Sequence, residues 1–129
     1  MQRLAMSEGI VLSTEVTESH GIPIVRVQGD IDLHTVPRFE RAVQEGIDRA
    51  RSTLIIDLSG ATYLDSAGLS ALLSANKKLS TRDAKLYVIA PRSCPGVRRV
   101  LEITRIDTII PVYESLEDVL SAIQLPKAA

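Results

Sequence analysis

Tryptophan is absent and aromatic residues make up only 3% of the chain, so any core must be aliphatic. Phe39, Tyr63, Tyr87 and Tyr113 are scattered and offer no base-stacking platform for nucleic acid. Charge of neither sign prevails: the net charge is -1 and the pI about 6.1, which removes the electrostatic reason to bind nucleic acid or an anionic membrane. The basic pairs Lys77-Lys78 and Arg98-Arg99 read as solvated helix faces. A single cysteine, Cys94, excludes an intramolecular disulfide. It lies in the turn Arg92-Ser93-Cys94-Pro95-Gly96 with no second Cys or nearby His to complete a metal site. No apolar run approaches the ~20 residues that span a bilayer, and Met1 to Met6 lacks the apolar stretch of a signal peptide. The expectation is a cytoplasmic protein without membrane insertion, metal or cofactor.

What is present suits one domain with one core. The chain has 129 residues, 45% hydrophobic and 24% charged, ordinary values for a globular protein. The domain is expected over 10–124, with a flexible extension at 1–9 and a tail at 125–129. Ile10-Val11-Leu12 reads as a first strand, and polar Ser13 to Glu18 has uncertain pairing. Ile22 to Gln28 is a clearer strand, with Val25 and Val27 on one face and Ile24 and Arg26 on the other; Gly29-Asp30-Ile31-Asp32 breaks it. Thr35 caps a helix that tolerates Pro37 in its first turn and carries Phe39, Ala42, Val43, Ile47 and Ala50 at helical spacing. Leu54 to Leu58 and Lys85 to Ala90 read as strands. A short helix around Val97, Val100 and Leu101 and an extended Ile109 to Val112 follow. Ser115 caps a last amphipathic helix of Leu116, Val119, Leu120 and Ile123. This order predicts an α/β fold: a mostly parallel central sheet with an N-terminal antiparallel strand and helices packed against it.

The richest stretch is Leu54 to Leu73, LIIDLSGATYLDSAGLSALL. Its strand enters a turn at Ser59-Gly60, and Leu64-Asp65-Ser66-Ala67-Gly68-Leu69 then delivers Ser66 to the first turn of a helix. Leu69, Leu72, Leu73 and Leu79 form its apolar stripe. Asp65 or Ser66 caps it, which is the plain reading of a serine in that position. The functional reading adds that Ala67 and Gly68 leave almost no bulk beside Ser66, so a partner's backbone can approach. The amides of Gly68 and Leu69 would donate to a phosphate there.

Catalytic readings fare worse. Ser66 with His20 or His34 and an aspartate nominally makes a triad. A nucleophile elbow, however, needs glycine two residues to either side, and Leu64 occupies one of those positions. Asp30 and Asp32 are paired carboxylates without an evident partner base. Val27-Gln28-Gly29-Asp30 has a lone glycine and no phosphate-loop lysine.

Three blocks carry a resemblance that covers the chain from about Ile10 to Ile123. Gly29-Asp30-Ile31-Asp32 followed by Thr35 resembles the G-[ED]-[IL]-D-x-x-[TS] entry of the STAS-domain family, specifically bacterial anti-sigma factor antagonists. Leu54 to Leu73 resembles that family's strand, D-S-x-G turn and helix. Val97-Arg98-Arg99-Val100-Leu101-Glu102-Ile103, continuing through Ile110-Pro111-Val112 to Leu120, resembles its C-terminal half.

The resemblance implies a partner switch rather than an enzyme. Ser66 matches the phosphoacceptor, Asp65 the residue before it, and Asp32 an acidic residue at the partner-facing surface. Asp32, Asp65, Ser66, Ala67, Gly68 and Leu69 are the implied partner-binding residues. The partner would be an anti-sigma factor that is itself a serine kinase of the histidine-kinase-like ATPase superfamily, with a serine phosphatase to reset the switch. Two departures stand out. Ala67 replaces a frequent second Ser or Thr, leaving Ser66 the sole hydroxyl of the tetrad. Arg105 stands where many relatives carry glycine after the third helix. A second resemblance remains open: accessory subunits of bacterial lipid-transport ABC ATPases carry a similar D-[ST]-A-G-L turn and dock without phosphorylation.

Overall fold

A computed structural model describes residues 12–123. The expected extension at 1–9, the Ile10-Val11 part of the first strand and the tail at 125–129 lie outside the described residues. Period-2 alternation builds β1 (Ser13–Ser19) and β2 (Ile22–Ile31), joined by a two-residue turn in which His20 and Gly21 both have positive φ, as such hairpins require. There follow α1 (Val36–Arg49), β3 (Thr53–Leu64), α2 (Ser66–Ser80), β4 (Lys85–Ile89) and α3 (Pro95–Ile103). A 3-10 turn (Ile106–Thr108), β5 (Val112–Tyr113) and α4 (Leu116–Ile123) complete the order.

The sheet runs β1-β2-β3-β4-β5, with β1 antiparallel to β2 and every other pair parallel. Polar Ser13 to Glu18 thus finds its partner in β2. Because spatial order follows chain order, the crossovers α1, α2 and α3 fall on one face. There Val25, Val27, Leu54, Ile56, Leu58, Leu86 and Val88 pack with Phe39, Val43, Leu72, Leu79, Val97 and Leu101. The opposite face alternates with it: Ile22, Ile24, Ile55 and Ile89 lie under Val119 of α4. Phe39 is fully buried, and each such side chain contributes about 1.5–3 kcal/mol.

Several expectations are corrected. Gly29-Asp30-Ile31 does not end β2, which continues to Ile31. Ser59-Gly60 is not a turn, since β3 runs on to Leu64. Between Asp57 and Gly60, and again between Ala61 and Tyr63, β3 carries one residue more than β2. These are bulges, and Gly60 is needed in the first because a Cβ there would come 2.6 Å from the Val27 carbonyl oxygen. On α2 the stripe is Ala71, Leu72, Ala75 and Leu79, while Leu73 is exposed. The expected extended segment shifts from 109–112 to Val112–Tyr113. Arg98 is no solvated face: its guanidinium donates to the Ala90 carbonyl at 2.7 Å and to Glu114 at 3.1 Å, with Glu102 at 3.2 Å. The Ser115 cap is present, its Oγ accepting from the Asp118 N–H.

Arg105 explains its own oddity. It follows α3 in the left-handed conformation, φ 62° and ψ 19°, the one that glycine ordinarily supplies at a helix end. The backbone keeps the glycine geometry, and the arginine bears the steric cost. Arg105→Gly should raise stability by roughly 0.5–1 kcal/mol, the left-handed penalty less glycine's entropy. Urea melts would read this as a higher midpoint at unchanged slope.

Candidate functional site

Ser66 sits where β2 and β3 end together. Ile31 pairs with Leu64 across these strands, and the Asp65 N–H donates to the Ile31 carbonyl at 3.2 Å. Chain reversal at the carboxyl ends of parallel strands is where α/β folds commonly place their binding residues. Asp65 is the N-cap of α2, and its Oδ1 accepts from the Ala67 N–H at 2.9 Å and the Gly68 N–H at 3.3 Å. Of the two candidate caps it is therefore Asp65 that acts. The Leu69 N–H is taken by the Asp65 carbonyl at 3.0 Å. The Gly68 and Leu69 amides, expected to be open to a phosphate, are already engaged.

That division of labour frees the serine. Ser66 is exposed, and its hydroxyl makes no hydrogen bond among the described residues. Ala67 and Leu69 beside it are half-buried. Gly68 faces inward instead: a Cβ there would lie 2.4 Å from Leu64 Cδ1 and 2.8 Å from Ile31 Cγ2. Its smallness serves the seating of α2.

The loop beside Ser66 is locked from within. The Asp32 N–H donates to Thr35 Oγ1 at 2.9 Å, and the Thr35 N–H returns to Asp32 Oδ1 at 3.0 Å. This is a reciprocal capping arrangement. Asp32 Oδ1 also accepts from the His34 N–H, and Thr35 Oγ1 donates to the Asp30 carbonyl at 2.7 Å. Thr35 therefore holds the N-cap position of α1, but its side chain makes no cap bond to that helix. It ties the loop back to β2. The spacing D-x-x-T is thereby accounted for as the ends of one tight turn.

The Thr35 N–H is the chief cause that holds the Asp32 carboxyl below the ordinary carboxylate range. Desolvation opposes it, while the His34 N–H, the Thr35 hydroxyl and the His34 ring reinforce it.

Two side chains that sequence reasoning passed over stand out here. Leu33, at the apex of the locked loop, is 72% exposed, and Tyr63, paired with Asp30 on the neighbouring strand, is 51% exposed. The signal for Leu33 was an apolar residue set between two polar turn positions. The triad reading is not assembled. His20 lies in the β1-β2 turn, at the opposite end of β2 from Ser66, with its ring on Ser19 Oγ. His34, in the loop beside Ser66, makes no ring hydrogen bond to the serine among the described residues. Cys94 is half-buried, its Sγ donating to the Ser59 carbonyl at 3.1 Å. Among the described residues, no cluster of three or more His, Cys, Asp or Glu is placed to hold a metal ion, and no helix is long and apolar enough to cross a membrane.

Comparison with known proteins gives a consistent result. Residues 13–119 match the STAS domain family. The anti-sigma-F factor antagonist RsfB of Mycobacterium tuberculosis is 28% identical over 119 residues, covering 92% of this chain and 95% of RsfB. An anti-sigma factor antagonist from Mycobacterium paratuberculosis superposes with a TM-score of 0.81 at 32% identity, over 92% of this chain and 99% of that one. The fold also matches SpoIIAA, at 17% identity in both forms. The TM-score is 0.70 for the unphosphorylated form, over 89% of this chain and 100% of that one. For the phosphorylated form, from Bacillus, it is 0.63 over 86% and 99%.

Two outcomes follow from this geometry. Gly68→Ala should cost roughly 1–3 kcal/mol, because the added methyl must displace Ile31 or Leu64; thermal melts would measure it. Folding lowers the Asp32 pKa, so its carboxylate's contribution to stability is complete above an aspartate's usual 3.8 and is lost as pH falls through the lower folded value. The stability gap between wild type and Asp32→Ala should therefore hold above that pH and narrow below it in urea melts at stepped pH.

Proposed function

We propose, from the premise that this chain belongs to the STAS domain family, that it is an anti-sigma factor antagonist switched by phosphorylation of Ser66. The observation that carries the reading is the exposed, unbonded Ser66 hydroxyl in the first turn of α2, beside an alanine and a separate capping carboxylate. Relatives that match nearly their whole length to this chain bear the name anti-sigma factor antagonist, which supports the same role.

In this reading the protein is a cytoplasmic binding module and not an enzyme. Unphosphorylated, it binds an anti-sigma factor that is a serine kinase of the ATPase fold and so releases the sigma factor. Phosphorylation of Ser66 ends the binding, and a serine phosphatase restores it.

The physics favours a switch that leaves the fold intact. A phosphoserine adds about -1.5 to -2 charges and three acceptor oxygens. At Ser66 it would stand beside Asp65, whose carboxylate already occupies the Ala67 and Gly68 amides, and near Asp32 across the strand ends. A face that closes tightly over a neutral hydroxyl and the small Ala67 cannot admit the added bulk. It would also have to desolvate the new charge. No core residue needs to move, because Ser66 is exposed.

Ser66→Ala and Ser66→Asp proteins serve as paired baits in native lysate, with captured proteins identified by mass spectrometry. The expected result is an ATPase-fold serine kinase on the Ala bait that is missing from the Asp bait, while both baits give the wild-type circular dichroism spectrum. Equal capture of a lipid-transport ATPase by both baits would overturn the reading in favour of constitutive docking.

A further inference from the structure

We propose that Leu33 and Tyr63 are the apolar anchors by which this surface grips the kinase that phosphorylates Ser66; the inference rests on the functional reading above. A leucine 72% exposed and a tyrosine 51% exposed leave apolar surface in water that burial would stabilise. Their placement is what gives the exposure meaning. Leu33 lies two residues beyond Ile31, whose carbonyl bonds the Asp65 N–H. Tyr63 directly precedes Leu64, the partner of Ile31 across the strands. Both therefore border the point from which Ser66 projects.

The same geometry names the occupant. Phosphoryl transfer requires the donor's active site to come within bonding distance of the Ser66 hydroxyl, and the protein surface that carries this active site must cover the bordering side chains. A kinase face is thus the occupant that reaches both anchors in one docking. Asp30 and Asp32 form an acidic rim here, and neither is in an ion pair among the described residues. The fitting face is an apolar pocket edged by Lys or Arg.

Rigidity makes the anchors efficient. The reciprocal Asp32–Thr35 bonds and the Thr35 bond to the Asp30 carbonyl fix the backbone on both sides of Leu33. Little conformational entropy remains to be lost there on binding. Tyr63 is held in strand register opposite Asp30, and tyrosine presents a large contact area on few rotatable bonds. Affinity then resides in the anchors and switching in the serine, so that one phosphate can abolish a contact to which the hydroxyl itself adds little.

The test uses the kinase captured on the Ser66→Ala bait, expressed and purified, against the full-length chain. Leu33→Ala and Tyr63→Ala should each weaken binding at least tenfold, a hot-spot effect, while Tyr63→Phe retains affinity. Ile109→Ala is the control: Ile109 is 57% exposed but lines a cleft with Lys85 and Ser80 at the other end of the sheet, and it should bind as wild type. Phosphorylation of Ser66 in the two anchor variants should show a raised KM with kcat preserved, the mark of lost docking rather than lost chemistry. Thermal melts establish that each variant is folded. Wild-type affinity in both folded anchor variants would overturn the inference and leave the functional reading standing. Absence of kinase binding by the wild-type chain would overturn both.

Discussion

The seating of the α2 N-terminus on the ends of β2 and β3 is the constraint from which the rest of the site follows. It consists of one backbone bond, Asp65 N–H to the Ile31 carbonyl, and one close approach, Gly68 onto Ile31 and Leu64. The bond fixes where the helix starts, and the close approach fixes how near it lies to the sheet. With both set, Asp65 is directed at the helix amides, Gly68 at the core, and Ser66 at solvent. A larger residue at position 68 would have to displace Ile31 or Leu64, the side chains on which the first turn rests.

The sheet's two faces explain why this edge is free to work. Three helices cover one face, and their contacts hold the bulk of the core. The eight-residue α4 covers only part of the other, over Ile22, Ile24, Ile55 and Ile89. Beyond it the face turns polar, with Arg26 and Asp57 3.7 Å apart and Asp30 bonded to Thr62. The β3 bulges fall in this polar half, opposite β2 residues 26–30. They turn the strand end without disturbing the apolar half. Stability and presentation are thus assigned to different ends of the same strands.

Much of this was legible in the chain because the signals were periodic. The alternation of Ile24, Val25, Arg26 and Val27 gave the two faces of β2 correctly, and the Asp-Ser-Ala-Gly run located the start of α2. What escaped was decided by tertiary context. Ser59-Gly60 has turn composition, but β2 lies alongside and pairs Gln28 with Gly60, and a bulge absorbs the surplus residue. Gly29-Asp30 likewise resembles a strand end, yet pairing with Ala61 and Tyr63 carries the strand to Ile31. Arg98 reads as a surface cation until Glu114 and the Ala90 carbonyl are brought together around it. Leu33 offered only the signal of an apolar residue between polar turn positions, and a single leucine in a turn reveals its exposure only when the turn is folded.

The residues most visible as a motif prove to be the ones that build the site. Asp32 and Thr35 cap each other, Asp65 caps α2, and Gly68 seats it. These requirements are geometric and hold for any chain with this strand-loop-helix arrangement, whatever it binds. A surface made only of such residues would be much the same from one such chain to the next, and could not by itself distinguish one partner from another. Discrimination has to come from side chains that the scaffold displays but does not need. At this edge those are Leu33 and Tyr63, which the scaffold holds largely in solvent. The sequence thereby separates two demands: spaced polar and small residues hold a common shape, and unconstrained positions between them remain free to choose the partner.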